Sequence, residues 1–194
     1  QLTQSEIRLG HLGLPRSHPD FFALKLVNYI LGGGGCASRL MTRIRSDLGF
    51  TYGIRSQFHF RRAPGPFIIS TFTPAVNTAK AIKEIQAVVR DVRDRGVTAQ
   101  ELEEARSFHV GHFPLGLETS QGIGRQVITM DLYDLGRDYL KNYCDQIRKV
   151  TLEAAAQAAQ RHLDPEALVT LVMGPASQCP DLPDLGEVNV VDEI

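Results

Sequence analysis

The stretch LGGGGCASRLMTRIRSDLGFTY, residues 31–52, decides the reading of this chain. Four consecutive glycines lead into an amphipathic helix in which Ala37, Leu40, Met41, Ile44 and Leu48 recur at spacings of three and four, apart from one adjacent pair. Leu48-Gly49 then turns the chain into a strand that opens near Tyr52. A guanidinium, Arg45, and a phenol, Tyr52, therefore stand at the two ends of a tight helix-to-strand corner. Both can donate hydrogen bonds to a carbonyl or an oxyanion. No histidine or glutamate stands beside them to act as metal ligand or general base. The stretch reads as half of an active site.

Upstream, Ile7 to Leu14 alternates as a strand closed by Pro15. His18-Pro19-Asp20 opens a helix carrying Phe22, Leu26, Tyr29 and Ile30 at helical spacing, which the glycines end. Downstream, Thr51 to Arg61 alternates, with Tyr52, Ile54, Phe58 and Phe60 on one face and Arg55, Gln57, His59 and Arg61 on the other. Ala63 to Pro66 is a turn and Phe67 to Thr73 the return strand, a hairpin with one buried face. Ala79, Ile82, Ile85, Val89 and Val92 mark a long helix over 75–95, stopped by Gly96. Thr98 and Glu101 form a capping box for the next helix, expected to run toward Glu118 with a bend near Gly111 and Pro114. Two or three further helices follow, over 120–135, 138–150 and 151–163, and then a short apolar strand over 167–173. Hairpins in place of repeated βαβ units predict an α+β fold: a mainly antiparallel sheet with helices packed on one face.

One domain over 1–178 fits a length of 194 residues with 43% apolar and 22% charged composition. The tail over 179–194, with five acids and no Lys or Arg, is expected to lie over the surface or to be partly disordered. A net charge of −1 and a pI near 6.7 argue against nucleic-acid or anionic-membrane partners. No apolar run reaches the roughly 20 residues of a membrane span. Cys36, Cys144 and Cys179 are odd in number with no CxxC pair, so two or three of them read as small buried or part-buried thiols. The chain begins with Gln1, which suggests a processed end or a boundary inside a longer protein, and leaves localisation unread.

Other motifs compete weakly with the Arg45–Tyr52 corner. Gly32, Gly34 and Ala37 fit GxGxxA formally, but a helix precedes them and Tyr52 stands where the ribose-binding acid belongs. A Walker loop ends in Gly-Lys-Ser/Thr, whereas this run continues Cys36-Ala37-Ser38. The glycines read instead as a flexible joint where backbones pass closely. His109 and His112 are spaced i, i+3 and in principle share a metal, yet no third ligand follows at a telling spacing. They read as one packed and one solvent-facing histidine. His11, His18, His59 and His162 are scattered, without a Ser-His-Asp or Cys-His arrangement. Arg45 flanks its helix's apolar stripe, free to face a cleft or solvent. Tyr52, on the apolar face of its strand, has the plain alternative of a core aromatic with its hydroxyl at the rim.

LVNYILGGGGCASRLMTRIRSDLGFTYGIRS, residues 26–56, resembles the carboxy-terminal domain of the insulinase/pitrilysin/mitochondrial-processing-peptidase family of zinc peptidases. IRLGHLGLPRSHPDFFAL, residues 7–24, is similar to that domain's opening strand and first helix. Gly65 to Thr73, Thr98 with Glu101 to Ala105, Val150-Thr151 and the strand Val169 to Gly174 extend the similarity over most of the chain. The resemblance implies two related α+β halves closing a chamber around an extended peptide substrate bound by strand addition. Zinc belongs to the other half, on an HxxEH motif, and this half supplies an Arg and a Tyr, which fall on Arg45 and Tyr52. No HxxEH occurs in this chain, so no metal or other cofactor is expected in it and the isolated chain should not hydrolyse peptide bonds. The implied partner is a zinc-bearing HxxEH domain or subunit. The alternative is a catalytically inert structural or peptide-binding subunit of the same fold. For a bacterial chain the resemblance leans toward the periplasm.

Overall fold

The computed structural model describes residues 3–191, and among them four strands form one antiparallel sheet. In chain order these are β1 (Gln4–Leu12), β2 (Ile54–Phe58), β3 (Pro66–Pro74) and β4 (Val169–Met173), arranged β2-β3-β1-β4. β1 pairs with β3 from Gln4↔Pro74 to Leu12↔Pro66, and with β4 from Glu6↔Met173 to Gly10↔Val169. The period of two sends Ser5, Ile7 and Leu9, Ile54, Ser56 and Phe58, and Phe67, Ile69, Thr71 and Thr73 inward. Glu6, Arg8, Arg55, Gln57, Ser70 and Phe72 point to the opposite, uncovered face. The sheet is mainly antiparallel with helices on one face, as the hairpin-based reading predicts.

The helical layer comprises α1 (Phe21–Asn28), α2 (Thr78–Arg95), α3 (Ala99–His112), α4 (Ser120–Leu132), α5 (Tyr139–Lys149) and α6 (Leu152–His162). The long helix forms because Ala79, Ile82, Ile85, Val89 and Val92 line one stripe, and it stops where Gly96 takes φ +72°. The capping box is present with both of its bonds: the Glu101 amide donates to Thr98 Oγ1 at 3.2 Å and the Thr98 amide to Glu101 Oε2 at 2.7 Å. The helix it opens ends at His112 rather than near Glu118, because Pro114 breaks the backbone ladder and a short 3₁₀ turn, Pro114–Leu117, follows. None of these helices is long and apolar enough to cross a membrane among the described residues.

Ile7, Leu9, Leu24, Leu26, Leu31, Ile69, Ile82, Ile85 and Leu102 fill the space between sheet and helices. Cys179 is buried at its edge, its Sγ 3.3 Å from the Ala75 carbonyl oxygen and 3.5 Å from Thr78 Oγ1, either of which can accept its single S–H. The acidic tail after it does not simply trail over the surface. Leu182 and Leu185, in a 3₁₀ turn, pack against the core. Its last residues, 192–194, lie outside the described residues.

Candidate functional site

The glycine run is built into the fold by close approach. After α1 the chain widens into a π-helical turn, Tyr29–Gly33, and crosses the outer edge of β2. A Cβ on Gly32 would lie 2.7 Å from the Ser56 amide nitrogen and 2.9 Å from Leu40, so only glycine fits. Asn28 Nδ2 donates to the Ser56 carbonyl at 3.2 Å, and the Ile54 amide donates to Met41 Sδ at 3.4 Å. The edge of β2 is thereby closed. The expected joint between backbones is what the glycines form.

A second π-wound segment, Met41–Asp47, carries the arginines. Such i→i+5 turns are rare and cluster at functional sites. Gly49 at φ +63° turns the chain sharply; the Gly49 amide donates to the Arg45 carbonyl at 3.1 Å and the Phe50 amide to Ile44 at 3.0 Å. The loop beyond is pinned by threonines. Thr51 Oγ1 donates to the Gly53 carbonyl at 2.9 Å, and Thr71 Oγ1 lies 2.9 Å from the same oxygen and 3.0 Å from Thr51 Oγ1.

Tyr52 stands in this loop, not in a strand. β2 begins at Ile54, and the Tyr52 side chain is 92% exposed. The alternation Tyr52–Ile54 misleads because Gly53 and the Thr51 turn interrupt the ladder between them. The core-aromatic alternative for Tyr52 fails with it. Arg45 is also exposed, and its hydrogen bond is a long one, from Nη1 to Cys36 Sγ at 3.7 Å. Cys36 is exposed, whereas Cys144 is part-buried and Cys179 buried. The corner thus offers two unburied donors on an anchored backbone.

Beside the corner, the uncovered sheet face and the glycines enclose a cleft of about 680 Å³, bordered by Gly35, Gly53, Arg8, Arg55, Gln57 and Phe72. Arg8 there is paired with Glu6 at 2.7 Å, while Arg55 has no acid partner among the described residues.

The histidines fall partly as expected. His109 is part-buried and His112 exposed, its ring stacked on Phe108 at 5.3 Å. The fold, however, joins two that looked scattered. His18 and His162, 144 positions apart in the chain, meet at Asp20, with ligand-capable atoms all within 4.8 Å. His162 Nε2 lies 2.8 Å from Asp20 Oδ2, and Arg161 Nη2 lies 3.1 Å from the same oxygen. Burial would raise the Asp20 carboxyl, but the bond with His162 and the charge of Arg161 hold it below its ordinary value. The carboxylate is already neutralised by Arg161, and His18 Nδ1 already accepts the Asp20 amide at 3.1 Å. The three residues can hold a metal by donor type, yet they fit a clamp between α1 and α6 better than a catalytic zinc site, and they do not border the Arg45–Tyr52 corner. No sequence spacing could have announced that contact.

Comparison with known proteins places the chain. Residues 1–108 match the family described as the peptidase M16 inactive domain. A structure of a peptidase M16 inactive domain from Pseudomonas fluorescens superposes with a TM-score of 0.83 at 34% identity, covering 89% of this chain and 41% of that one. A Helicobacter pylori protein named "Non-peptidase homolog YmxG" is 30% identical over 153 residues, 75% of this chain and 33% of its own. The Bacillus subtilis "Uncharacterized zinc protease YmxG" is 29% identical over 117 residues, 60% of this chain and 28% of its own. The chain therefore spans a third or less of these curated relatives. With its four-stranded antiparallel sheet and one-sided helical layer, the chain belongs to the peptidase M16 inactive-domain family.

Proposed function

We propose that this chain is the zinc-free half of an insulinase-like metalloendopeptidase and acts by hydrogen bonding to the substrate of a zinc-bearing partner domain. The observation that carries this reading is the corner itself: Arg45 and Tyr52 are exposed donors on a backbone pinned by Gly49, Thr51 and Thr71, beside an open cleft. Zinc on the partner's HxxEH motif would supply the activated water, which nothing in this chain provides. As attack proceeds, negative charge gathers on the carbonyl oxygen. A guanidinium and a phenol presented from a pinned backbone can donate to that oxyanion. The isolated chain, lacking base and metal motif, does not hydrolyse peptides on this account.

The same reading fits the cleft. Its walls are a mixture of sheet backbone, Arg55, Gln57 and Phe72, suited to an extended peptide rather than a compact cofactor. Because the glycine run closes the β2 edge, a peptide that reaches the corner lies across the open face instead of adding a strand there.

The test is reconstitution of this chain with its zinc-bearing half, followed by turnover of Tyr52→Phe and Arg45→Ala. A loss on the order of 10²-fold is expected for either. Unchanged turnover in both would remove the assigned role.

A second reading has its own support: an inert structural or peptide-binding subunit. Arg45 rests against a thiol and no acid orients it among the described residues, and the Helicobacter relative is named a non-peptidase. The presence or absence of an HxxEH helix in the partner separates the two.

A further inference from the structure

Where α1 crosses α3, Lys25, Tyr29, Phe58, Phe60, Phe108 and His109 surround a cavity of about 240 Å³. At about 30 Å³ per water this has room for roughly eight waters or one amino-acid-sized body. Asn28 on its wall is bonded to Ser56, but two of its polar groups lack partners among the described residues. His109 Nε2 is buried without a hydrogen bond. Lys25 has no acid within ion-pairing distance among the described residues; its ammonium stands 5.8 Å from the centre of the Phe21 ring and 5.1 Å from that of Tyr143.

A second cation shares that aromatic cage. The Arg16 guanidinium, itself buried, lies 3.4 Å over Phe21 and donates from Nη2 to Tyr139 Oη at 2.7 Å. It too has no acid partner among the described residues. Burial, then the Arg16 charge, pulls Lys25 down to about 8. Burial, then the charges of Lys25 and His112, brings His109 down to about 4, with its approach to the Lys25 carbonyl working the other way. At neutral pH the cavity therefore presents an ammonium and a neutral imidazole. The acid that bears on this region, Glu104, acts on the Tyr29 phenol and is itself bonded to Gln100 at 2.9 Å.

A buried cation without countercharge is costly even where aromatic rings offset part of that cost, and so is an orphaned ring nitrogen. Water would satisfy the nitrogen but bring no charge, and would leave aromatic walls wet. An anion with an apolar body meets all three needs at once. We propose that this cavity binds an organic carboxylate on an apolar, side-chain-sized body. Lys25 takes the carboxylate, His109 donates to it from Nε2 in the tautomer that carries its single proton there, and Tyr29, Phe58, Phe60 and Phe108 pack the body. The carboxylate can belong to a free acid or to the carboxy-terminal residue of a peptide. Gly33 borders both this cavity and the open-face cleft, so a peptide end can reach it. The proposal is independent of the roles given to Arg45 and Tyr52.

Titration calorimetry on the full 194-residue chain tests it, with hydrocinnamate, N-acetyl-Ala-Ala-Phe and the amide of each as probes. Saturable one-to-one binding of the acids is expected, with each amide about tenfold weaker or worse. Lys25→Met, which keeps the apolar stem, should weaken the acids by a similar factor and leave the amides unmoved. Tighter binding of the peptide acid assigns a peptide terminus; equal binding assigns a free acid. Should Lys25→Met fold poorly, trace acetylation of the wild-type chain replaces it, with Lys25 protected by the acids and not by the amides. Absence of saturable binding, equal affinity for acid and amide, or wild-type affinity in folded Lys25→Met would overturn the proposal.

Discussion

Arg39 and Arg43 leave one side of the helical run after the glycines, and Arg45 leaves another. Arg39 reaches Glu101 through Nε and Nη2, both at 2.7 Å, and Asp91 through Nη1 at 2.9 Å. Arg43 reaches Glu84 at 2.9 Å. These contacts fasten the segment to α2 and α3. Arg45, two positions on from Arg43, has only the Cys36 thiol among the described residues, and Tyr52 beyond it is exposed. An arginine whose task is to hold elements together is given carboxylates, and its fork is used up by them. On the proposed reading, Arg45 meets a transient negative charge and is left without them. The clamp fixes the backbone of the segment from which the exposed corner projects.

If that division is right, stability should fall steeply for changes on the packed side and hardly at all at the corner. Gly32→Ala heads the series, because its methyl would press on the Ser56 backbone nitrogen as well as on Ser56 Oγ and the Leu40 side chain. A loss of about 3 kcal/mol in urea unfolding is expected. Arg39→Ala comes next, at about 2 kcal/mol by the same measurement, since it strips two carboxylates of a part-buried partner.

The clamp should also show in acid. Burial alone would raise the Glu101 carboxyl, but bonds from Arg39 and the Thr98 amide bring it down to about 2 from an ordinary 4.5. A depressed carboxyl contributes stability above its unfolded value and loses it as pH falls toward the folded one. Urea midpoints should therefore decline between about pH 4.5 and 2, with a shallower slope in Arg39→Ala. Equal slopes in both proteins would break the link between clamp and carboxyl. Arg45→Ala and Tyr52→Phe close the series, within about 0.5 kcal/mol of wild type. A larger loss would mean the corner is structural after all.

Much of the fold was legible because it rests on local rules. The stripe from Ala79 to Val92, the Thr98–Glu101 box and the hairpin around Ala63–Pro66 each carry their own pattern. The site was legible only in part. Arg45 and Tyr52 stand out by chemical type and by resemblance, but the exposure of Tyr52 depends on where a ladder stops. Two threonines twenty positions apart decide that by bonding across the turn. The His18–Asp20–His162 clamp and the Lys25–His109 cavity exist only because helices distant in the chain pack together, and no spacing in the sequence encodes those meetings.

The most direct test of the whole account pairs two readouts on the same proteins. Arg45→Ala, Tyr52→Phe and Arg39→Ala are each reconstituted with the zinc-bearing half, and peptide turnover is measured beside the urea midpoint. The expected result is turnover lowered on the order of 10²-fold for the first two with midpoints unmoved, and for Arg39→Ala a lowered midpoint with a smaller loss of turnover. Corner variants that keep wild-type turnover, or that lose it only in proportion to lost stability, would contradict it.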